Sequence, residues 1–466
     1  MSKSKKNYPE TDLIIGKYGA DALRVYLTGS NILQGDSLNF KESDVAGCLK
    51  QVTIPLYNSV RFFSVCVDLL NQKADKTHLF DENEVIKSDD PLDKWIVSLT
   101  HSITKSVCTS IDKYELNKAM PSIPVFIENL NNWYIKLNRS RMKGSNGVEQ
   151  QINSLKTLYY VLKQIISLFS PVIPFMTERL YQFLKKYSSH KDQLMSVHLT
   201  QIPKYYDHFI DQNLETSVKY MQNALVLIRA SRDHAEIGLK IPLKRAIIIT
   251  HSQNIIEKIK SFESYILEQG NLKILEYMTD VVDNKLGARL TATLNYRQIS
   301  SKVKKDMKKV AAEVEKLSQK DLEDYKNGKT LEVCGYILEG SDLNISYAID
   351  KQFSTRYECQ YNDDFLIVID KERDANLDNE ATCREITSAI QKLRKQLKFV
   401  ATDFAEIQYW SEDKKMHTII NQFNQKIENQ VNGTIKAGNC DLSAITEKIH
   451  SLEINPENKI CCTIKK

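Results

Sequence analysis

A mainly α-helical fold, closed by a mixed α/β domain at the C-terminal end, is predicted for this 466-residue chain. Three observations lead there. Before residue 240, apolar residues recur at three- and four-residue spacing, the period of a helix face. Glycine is scarce, 15 in the whole chain, which suits helices better than a hairpin-rich fold. After residue 240, short β-branched and aromatic runs alternate with helical ones. Three regions follow: 1–42, a loop and one short helix; 43–240, a helical bundle; and 241–466, an α/β domain.

The short helix runs over Gly19–Thr28. From Val45 to Leu184 the pattern is helical almost throughout. In 152–169, Ile152, Leu155, Leu158, Leu162, Ile165 and Phe169 share one face. The run "FSPVIPF" breaks it, because Pro171 and Pro174 do not fit a helix interior, and a new helix starts at Phe175. Long helices with short breaks predict an up-down bundle. After "SVHLTQIP" (196–203) a further helix covers about 214–236. Strands are predicted at 245–250, 272–278, 290–296, 331–338, 365–370 and 405–410, with helices at 298–317, 376–398 and 413–428 between them. No internal repeat is apparent.

The apolar fraction is 42% and the charged fraction 26%, ample for a globular core. Net charge is +5, mildly basic and compatible with an RNA partner. The nine cysteines form no C-x-x-C pair and no zinc-ligand spacing, so reduced thiols in a reducing cytoplasm are expected. No apolar segment follows the N-terminal lysines, and no run reaches the length of a membrane span. A soluble, cytoplasmic protein without membrane contact is expected.

The opening "MSKSKKNYPE" sets lysines beside small serines. On composition alone this reads as a solvated terminus. The same residue types also suit a mobile loop that reaches a polyphosphate. Met1-Ser2-Lys3-Ser4 gives four letters of K-M-S-K-S, and Gly19, Ala20, Asp21, Ala22, Leu23 and Arg24 spell G-A-D-A-L-R. Together these resemble class I aminoacyl-tRNA synthetases. "KKNYP" (5–9), "NNWYIKLNRSRMKG" (131–144), "FSPVIPFMTERLYQFL" (169–184) and "REITSAIQKLRKQLKFVATD" (384–403) are similar to eukaryotic-type isoleucyl-tRNA synthetases.

The resemblance implies that 1–42 is the end of a catalytic domain, with the KMSKS loop and the GADALR helix. It implies that 43–240 is an anticodon-binding bundle and that 241–466 contributes tRNA or partner contacts. Such an enzyme activates isoleucine with ATP and Mg2+ and transfers it to tRNA(Ile). Lys3 is the expected catalytic residue, holding the β- and γ-phosphates, and Ser2 and Ser4 shape the ATP-binding loop. No protein-bound metal is expected. The nucleotide-binding fold, the HIGH element and an editing domain are expected upstream, so the chain by itself is expected to be inactive. A multi-synthetase complex is a further partner the resemblance allows. The alternatives are a non-catalytic tRNA-binding or assembly module of the same family, and another class I ligase such as a valyl enzyme.

Lys136, Arg139 and Lys143 fall on one helical face and, with Arg141, are the candidate tRNA-phosphate contacts. A solvated helix surface is the plainer reading of the same pattern. Trp133 reads as a core anchor beside Leu130 and Leu137. Asp21 and Arg24 read as structural, as a local pair three residues apart, or with Arg24 reaching RNA. Glu178 reads as a helix cap, and His198 as a packed histidine. Ile299, Val303, Met307, Val310, Val314 and Leu317 form a core stripe beneath the solvated lysines of 302–310. Arg384, Lys392, Arg394, Lys395 and Lys398 form a similar basic face over Ile386, Ile390, Leu393 and Leu397.

Overall fold

The computed structural model describes residues 10–81, 88–190, 193–250, 252–279, 286–303, 306–326, 328–350, 352–400, 403–411, 413–438, 450–455 and 458–465. Ser2, Lys3 and Ser4 lie outside the described residues. The chain divides between Thr216 and Ser217 into two units. Each is mainly built as its composition predicts: helices in the first, helices with small sheets in the second.

In the first unit, α1 (Thr11–Tyr18) turns directly into α2 (Ala20–Thr28) at Gly19, whose φ of +84° disfavours any side chain. With α3 (Glu42–Cys48) they enclose a small core of Ile14, Ala22 and Val45. Tyr26 meets Phe40 edge-to-face at 5.4 Å. A π-helical turn, Leu49–Thr53, leads into α4 (Ile54–Ala74).

Asp90 and Pro91 set the start of α5 (Pro91–Asp112). The Asp90 carboxylate accepts the Leu92 N–H at 2.9 Å, and Pro91 sits where no N–H is needed. Next come α6 (Leu116–Ala119) and α7 (Ser122–Glu128), a π-helical stretch over Asn129–Ile135, and α8 (Arg139–Met142). The two longest remaining helices are α9 (Val148–Phe169) and α10 (Pro174–Lys185), separated at the break predicted from Pro171 and Pro174.

The faces predicted from spacing are the faces buried. Leu155, Leu158, Leu162 and Ile165 of α9 are fully buried, as are Phe63 and Leu70 of α4, Ile96 of α5 and Leu184 of α10. Each such side chain contributes roughly 1.5–3 kcal/mol through removal from water. Phe63 gathers Phe80 and Tyr187 edge-to-face at 5.5 and 5.4 Å. Trp133 is a core residue, 9% exposed. His101 of α5 lies flat on Phe209 at 4.9 Å. His198 is exposed rather than packed, because its short 3-10 turn points it away from the buried Val197.

The second unit holds most of α11 (Gln212–His234). Within it, Ile228 and Arg232 of α11 pack against the Gly270–Leu272 turn. Strand β1 (Leu243–Ile249) is followed by α12 (Gln253–Lys260), α13 (Glu263–Gly270) and β2 (Leu272–Met278), which pairs parallel to β1 with Leu243 opposite Leu272.

Residues 288–349 form a separate cluster. Strand β3 (Ala288–Leu294) is followed by α14 (Tyr296–Val303), α15 (Met307–Val314) and α16 (Gln319–Lys326). The predicted strand 331–338 is a hairpin, β4 (Leu331–Val333) and β5 (Tyr336–Leu338), because Cys334 and Gly335 both take positive φ. Strand β6 (Leu343–Ile349) closes antiparallel on β3. The stripe from Ile299 to Leu317 is the core of this cluster, as predicted.

Strands β7 (Tyr357–Tyr361) and β8 (Leu366–Asp370) complete the first sheet in the order β2-β1-β8-β7. A long helix, α17 (Ala375–Gln396), then leads to β9 (Ala405–Trp410), α18 (Lys414–Gln422), α19 (Asn424–Val431) and β10 (Gly433–Ala437). With β11 (His450–Asn455) and β12 (Asn458–Lys465) they make a second sheet, ordered β10-β9-β12-β11. Ile386, Ile390 and Leu393 face its core as predicted, whereas Leu397 is 37% exposed.

Candidate nucleic-acid interface and the clamp at the end of the bundle

Asp21 and Arg24 do not pair with each other. Both reach across to the "FSPVIPF" break. The Asp21 carboxylate accepts the Met176 N–H at 2.7 Å and the Phe175 N–H at 3.3 Å, capping the first turn of α10. Arg24 donates from Nε to the Val172 carbonyl and from Nη2 to the Pro171 carbonyl, each at 2.9 Å. These carbonyls follow the end of α9, where a helix leaves acceptors unpaired. The structural role read from the motif holds, but the partner is a segment some 150 residues away in sequence, not a neighbour on the same helix.

Glu178, read as a cap, does not cap its own helix. Its carboxylate accepts from Ser196 Oγ at 2.8 Å, the Val197 N–H at 3.0 Å and Gln182 Nε2 at 2.7 Å, tying the chain's exit from the bundle to α10. Asp21 supplies the cap instead.

The four candidate tRNA contacts separate into two groups. Lys136, Arg139 and Lys143 are exposed. Arg139 stacks its guanidinium over the Phe62 ring of α4 at 5.6 Å. Arg139 and Lys143 both lie close enough to Cys66 to act on its thiol, although burial dominates and pushes that thiol up to about 11. Lys73, in the last turn of α4, sets its ammonium beside Gly144 and joins the cluster. It was not legible in the sequence, because only tertiary packing brings α4 next to residues 139–144.

Arg141 turns inward and is 5% exposed. Its Nη2 donates to Asp93 Oδ1 at 2.5 Å, and its Nη1 rests against Asp90. Tyr134 donates its hydroxyl to the same Asp93 oxygen at 2.6 Å. The charge of Arg141 is therefore spent on two carboxylates inside the bundle, which corrects its assignment to a phosphate-facing surface. Burial, with the neighbouring Asp93, raises the Asp90 carboxyl above its ordinary value.

Helix α9 sets the spacing between these two places. It begins just after Lys143 and ends just before Pro171, and its 22 residues span about 33 Å. The basic cluster and the Asp21–Arg24 clamp thus occupy opposite ends of the bundle. Of the other basic faces, Lys302 is bound to Asp342 at 2.8 Å, and Arg394 is buried on backbone carbonyls rather than solvated. Among the described residues no group of three or more His, Cys, Asp or Glu is placed to hold a metal ion, and no helix is long and apolar enough to cross a membrane.

Comparison with known proteins bears on both ends. Residues 1–39 match the class I tRNA synthetases for isoleucine, leucine, methionine and valine, and residues 93–248 match the anticodon-binding domain of tRNA ligases. The cytoplasmic isoleucine–tRNA ligase of Caenorhabditis elegans is 36% identical over 87% of this chain and 35% of the worm protein. The mouse enzyme of the same name is 34% identical over 90% of this chain and 34% of its own length, and that of Saccharomyces cerevisiae 32% over 88% and 38%. The chain therefore spans about a third of the length of the curated relatives it matches. On these matches, and on the motifs at both ends of the bundle, the chain belongs to the isoleucyl-tRNA synthetase family of class I tRNA synthetases.

Proposed function

We propose that this chain serves the ATP-dependent charging of tRNA(Ile) with isoleucine in the cytoplasm, and that its helical bundle binds the tRNA. The observation that supports the reading most directly is the exposed cluster of Lys73, Lys136, Arg139 and Lys143, at the end of α9 remote from the GADALR helix; the last three of these lie inside the region similar to anticodon-binding domains. Exposed cations on a rigid helical surface neutralise phosphates without reading sequence.

In the same reading, isoleucine and ATP with Mg2+ form an adenylate, and the acyl group then passes to the terminal ribose of the tRNA. Lys3, flanked by Ser2 and Ser4, holds the β- and γ-phosphates and stabilises charge on the departing pyrophosphate. In an enzyme of full family length, Lys3→Ala slows isoleucine-dependent pyrophosphate exchange by roughly two to three decades, as loss of one transition-state donor does. Unchanged exchange rejects the role.

The tRNA contact is tested on its own by filter binding over a series of salt concentrations. Arg139→Ala and Lys143→Ala each weaken binding and reduce the salt slope by about 1. Binding that is indifferent to both substitutions and to salt rejects the cluster as the interface.

A further inference from the structure

We infer that the second unit is built from two copies of one module, and that a buried arginine closes each copy. The first copy comprises residues 217–278 and 357–370, with the first turn of α11 lying just before it. The second comprises residues 375–437 and 450–465. The cluster 288–349 is an insertion carried by the first copy alone.

The topologies match strand for strand. Each copy begins with a long helix, α11 or α17, of 23 and 22 residues. Each continues with a strand, two short helices and a second strand parallel and adjacent to the first. Each ends in an antiparallel pair whose last strand returns beside the first strand. The sheet orders β2-β1-β8-β7 and β10-β9-β12-β11 are therefore the same order. The register agrees as well: Leu243 lies opposite Leu272, and Ala405 opposite Gly433.

The agreement extends to single backbone groups. After α11 the Ala235, Glu236 and Ile237 N–H groups donate to Ser231, Asp233 and Arg232 at 3.0, 3.1 and 2.8 Å. After α17 the Leu397, Lys398 and Phe399 N–H groups donate to Leu393, Lys395 and Arg394 at 2.9, 3.1 and 2.9 Å. Glu236 and Lys398 both take left-handed backbone, at φ +55° and +60°, uncommon for either residue type. Phe262 and Phe423 each stand between the two short helices. Asn271 and Asn432 each end the second one in left-handed backbone, and each then accepts at 3.0 Å from the first residue of the neighbouring strand, Leu243 or Ala405.

The arginines occupy equivalent places and do the same work. Arg232, 1% exposed, donates to the carbonyls of Gly238 at 3.2 Å, Ile241 at 2.9 Å, Gly270 at 2.9 Å and Asn271 at 3.1 Å. Arg394, 8% exposed, donates to Asp403 at 2.8 Å, with longer contacts of 3.5 Å to Val400 and Asn432. Gly238 and Val400, Ile241 and Asp403, and Asn271 and Asn432 are corresponding positions. The asparagine amides add to the grip: Asn271 donates to the Leu239 and Lys240 carbonyls, and Asn432 to the Asp403 carbonyl.

The physical need is the same in both copies. The loop between the long helix and the first strand leaves buried carbonyls that no strand can reach. A guanidinium, with five donors in a planar fork, satisfies several at once; an ammonium on a lysine does not match that geometry.

Hydrogen exchange on the full chain tests the inference. Arg232→Met is expected to speed exchange about tenfold or more in β1, β2 and β8 and leave β9, β10 and β12 unchanged, and Arg394→Met to do the reverse, as expected of separately opening cooperative units. Loosening of both sheets together by either variant, or of neither, overturns the inference. If a methionine variant fails to fold, Asn271→Gly and Asn432→Gly keep the left-handed backbone and delete only the amide. Each is then expected to raise exchange in its own copy, and an effect confined to the other copy, or absent, overturns it equally.

Discussion

Asp21 accepts the backbone N–H of Met176 at 2.7 Å, so the first turn of α10 is capped by a residue from α2 and not from its own flank. Removing that acceptor strands two N–H groups. Asp21→Ala is expected to cost the first unit roughly 1–2 kcal/mol, the usual loss for an N-cap, and Asp21→Asn less, because an amide oxygen still accepts. Urea midpoints of the three proteins check this, and equal midpoints refute the cap.

Arg139 and Arg141 stand two residues apart and should behave oppositely. Arg141→Ala leaves Asp93, wholly buried, without its cation, a change expected to cost about 3–5 kcal/mol. Arg139→Ala alters an exposed side chain and should stay within about 0.5 kcal/mol. Chemical unfolding separates them; similar losses in the two variants would contradict the burial described above.

His101 makes the first unit sensitive to acid. Burial, with the His208 charge adding to it, lowers its pKa from 6.5 to about 4. Tyr206 donates its backbone N–H to Nδ1 at 3.3 Å, which leaves the proton on Nε2, facing the Tyr160 hydroxyl at 2.9 Å. Between pH 6.5 and about 4 the unfolded chain takes up a proton that the folded one refuses, so stability falls as pH falls through that window. His101→Gln is expected to flatten this part of the pH profile, measured by denaturant titration at stepped pH.

Glu380 acts at lower pH. Burial raises its pKa, but hydrogen bonds from Lys273 and Lys426 outweigh burial and hold it at about 2, below the ordinary 4.5. The sign is that of a depressed carboxylate: its stabilisation is complete above pH 4.5 and is lost as pH falls toward 2. The advantage of the natural protein over Glu380→Gln is therefore expected at pH 6 and should vanish near pH 2. An advantage that persists at pH 2 would show that these lysines do not hold the charge.

What the sequence revealed follows from which forces are local. Pro171 and Pro174 end a helix wherever they stand, and the stripe from Ile299 to Leu317 needs only its own spacing to be read as core. Strand 405–410 was legible because β-branched and aromatic residues crowd into a short run. Arg141 was not, because the backbone runs as a π-helix from Asn129 to Ile135 and so departs from the 3.6-residue period by which faces are counted. Arg394 looked like part of a charged surface because its acceptors lie in a loop and a strand end that come near only after folding. The repeated module is masked in the sequence for a related reason. Few side chains, such as Arg232 and Arg394 or Asn271 and Asn432, persist between the copies, and the insertion 288–349 separates the strands of the first.

Helix α9 is held at both tips. At its start Gln151 donates to the Met142 carbonyl at 3.1 Å and the Cys66 carbonyl at 3.4 Å; at its finish Arg24 grips the two carbonyls that follow. A rod pinned in this way has no frayed turn in which to absorb a push. It is built as a strut between the lysine-bearing tip and the GADALR helix.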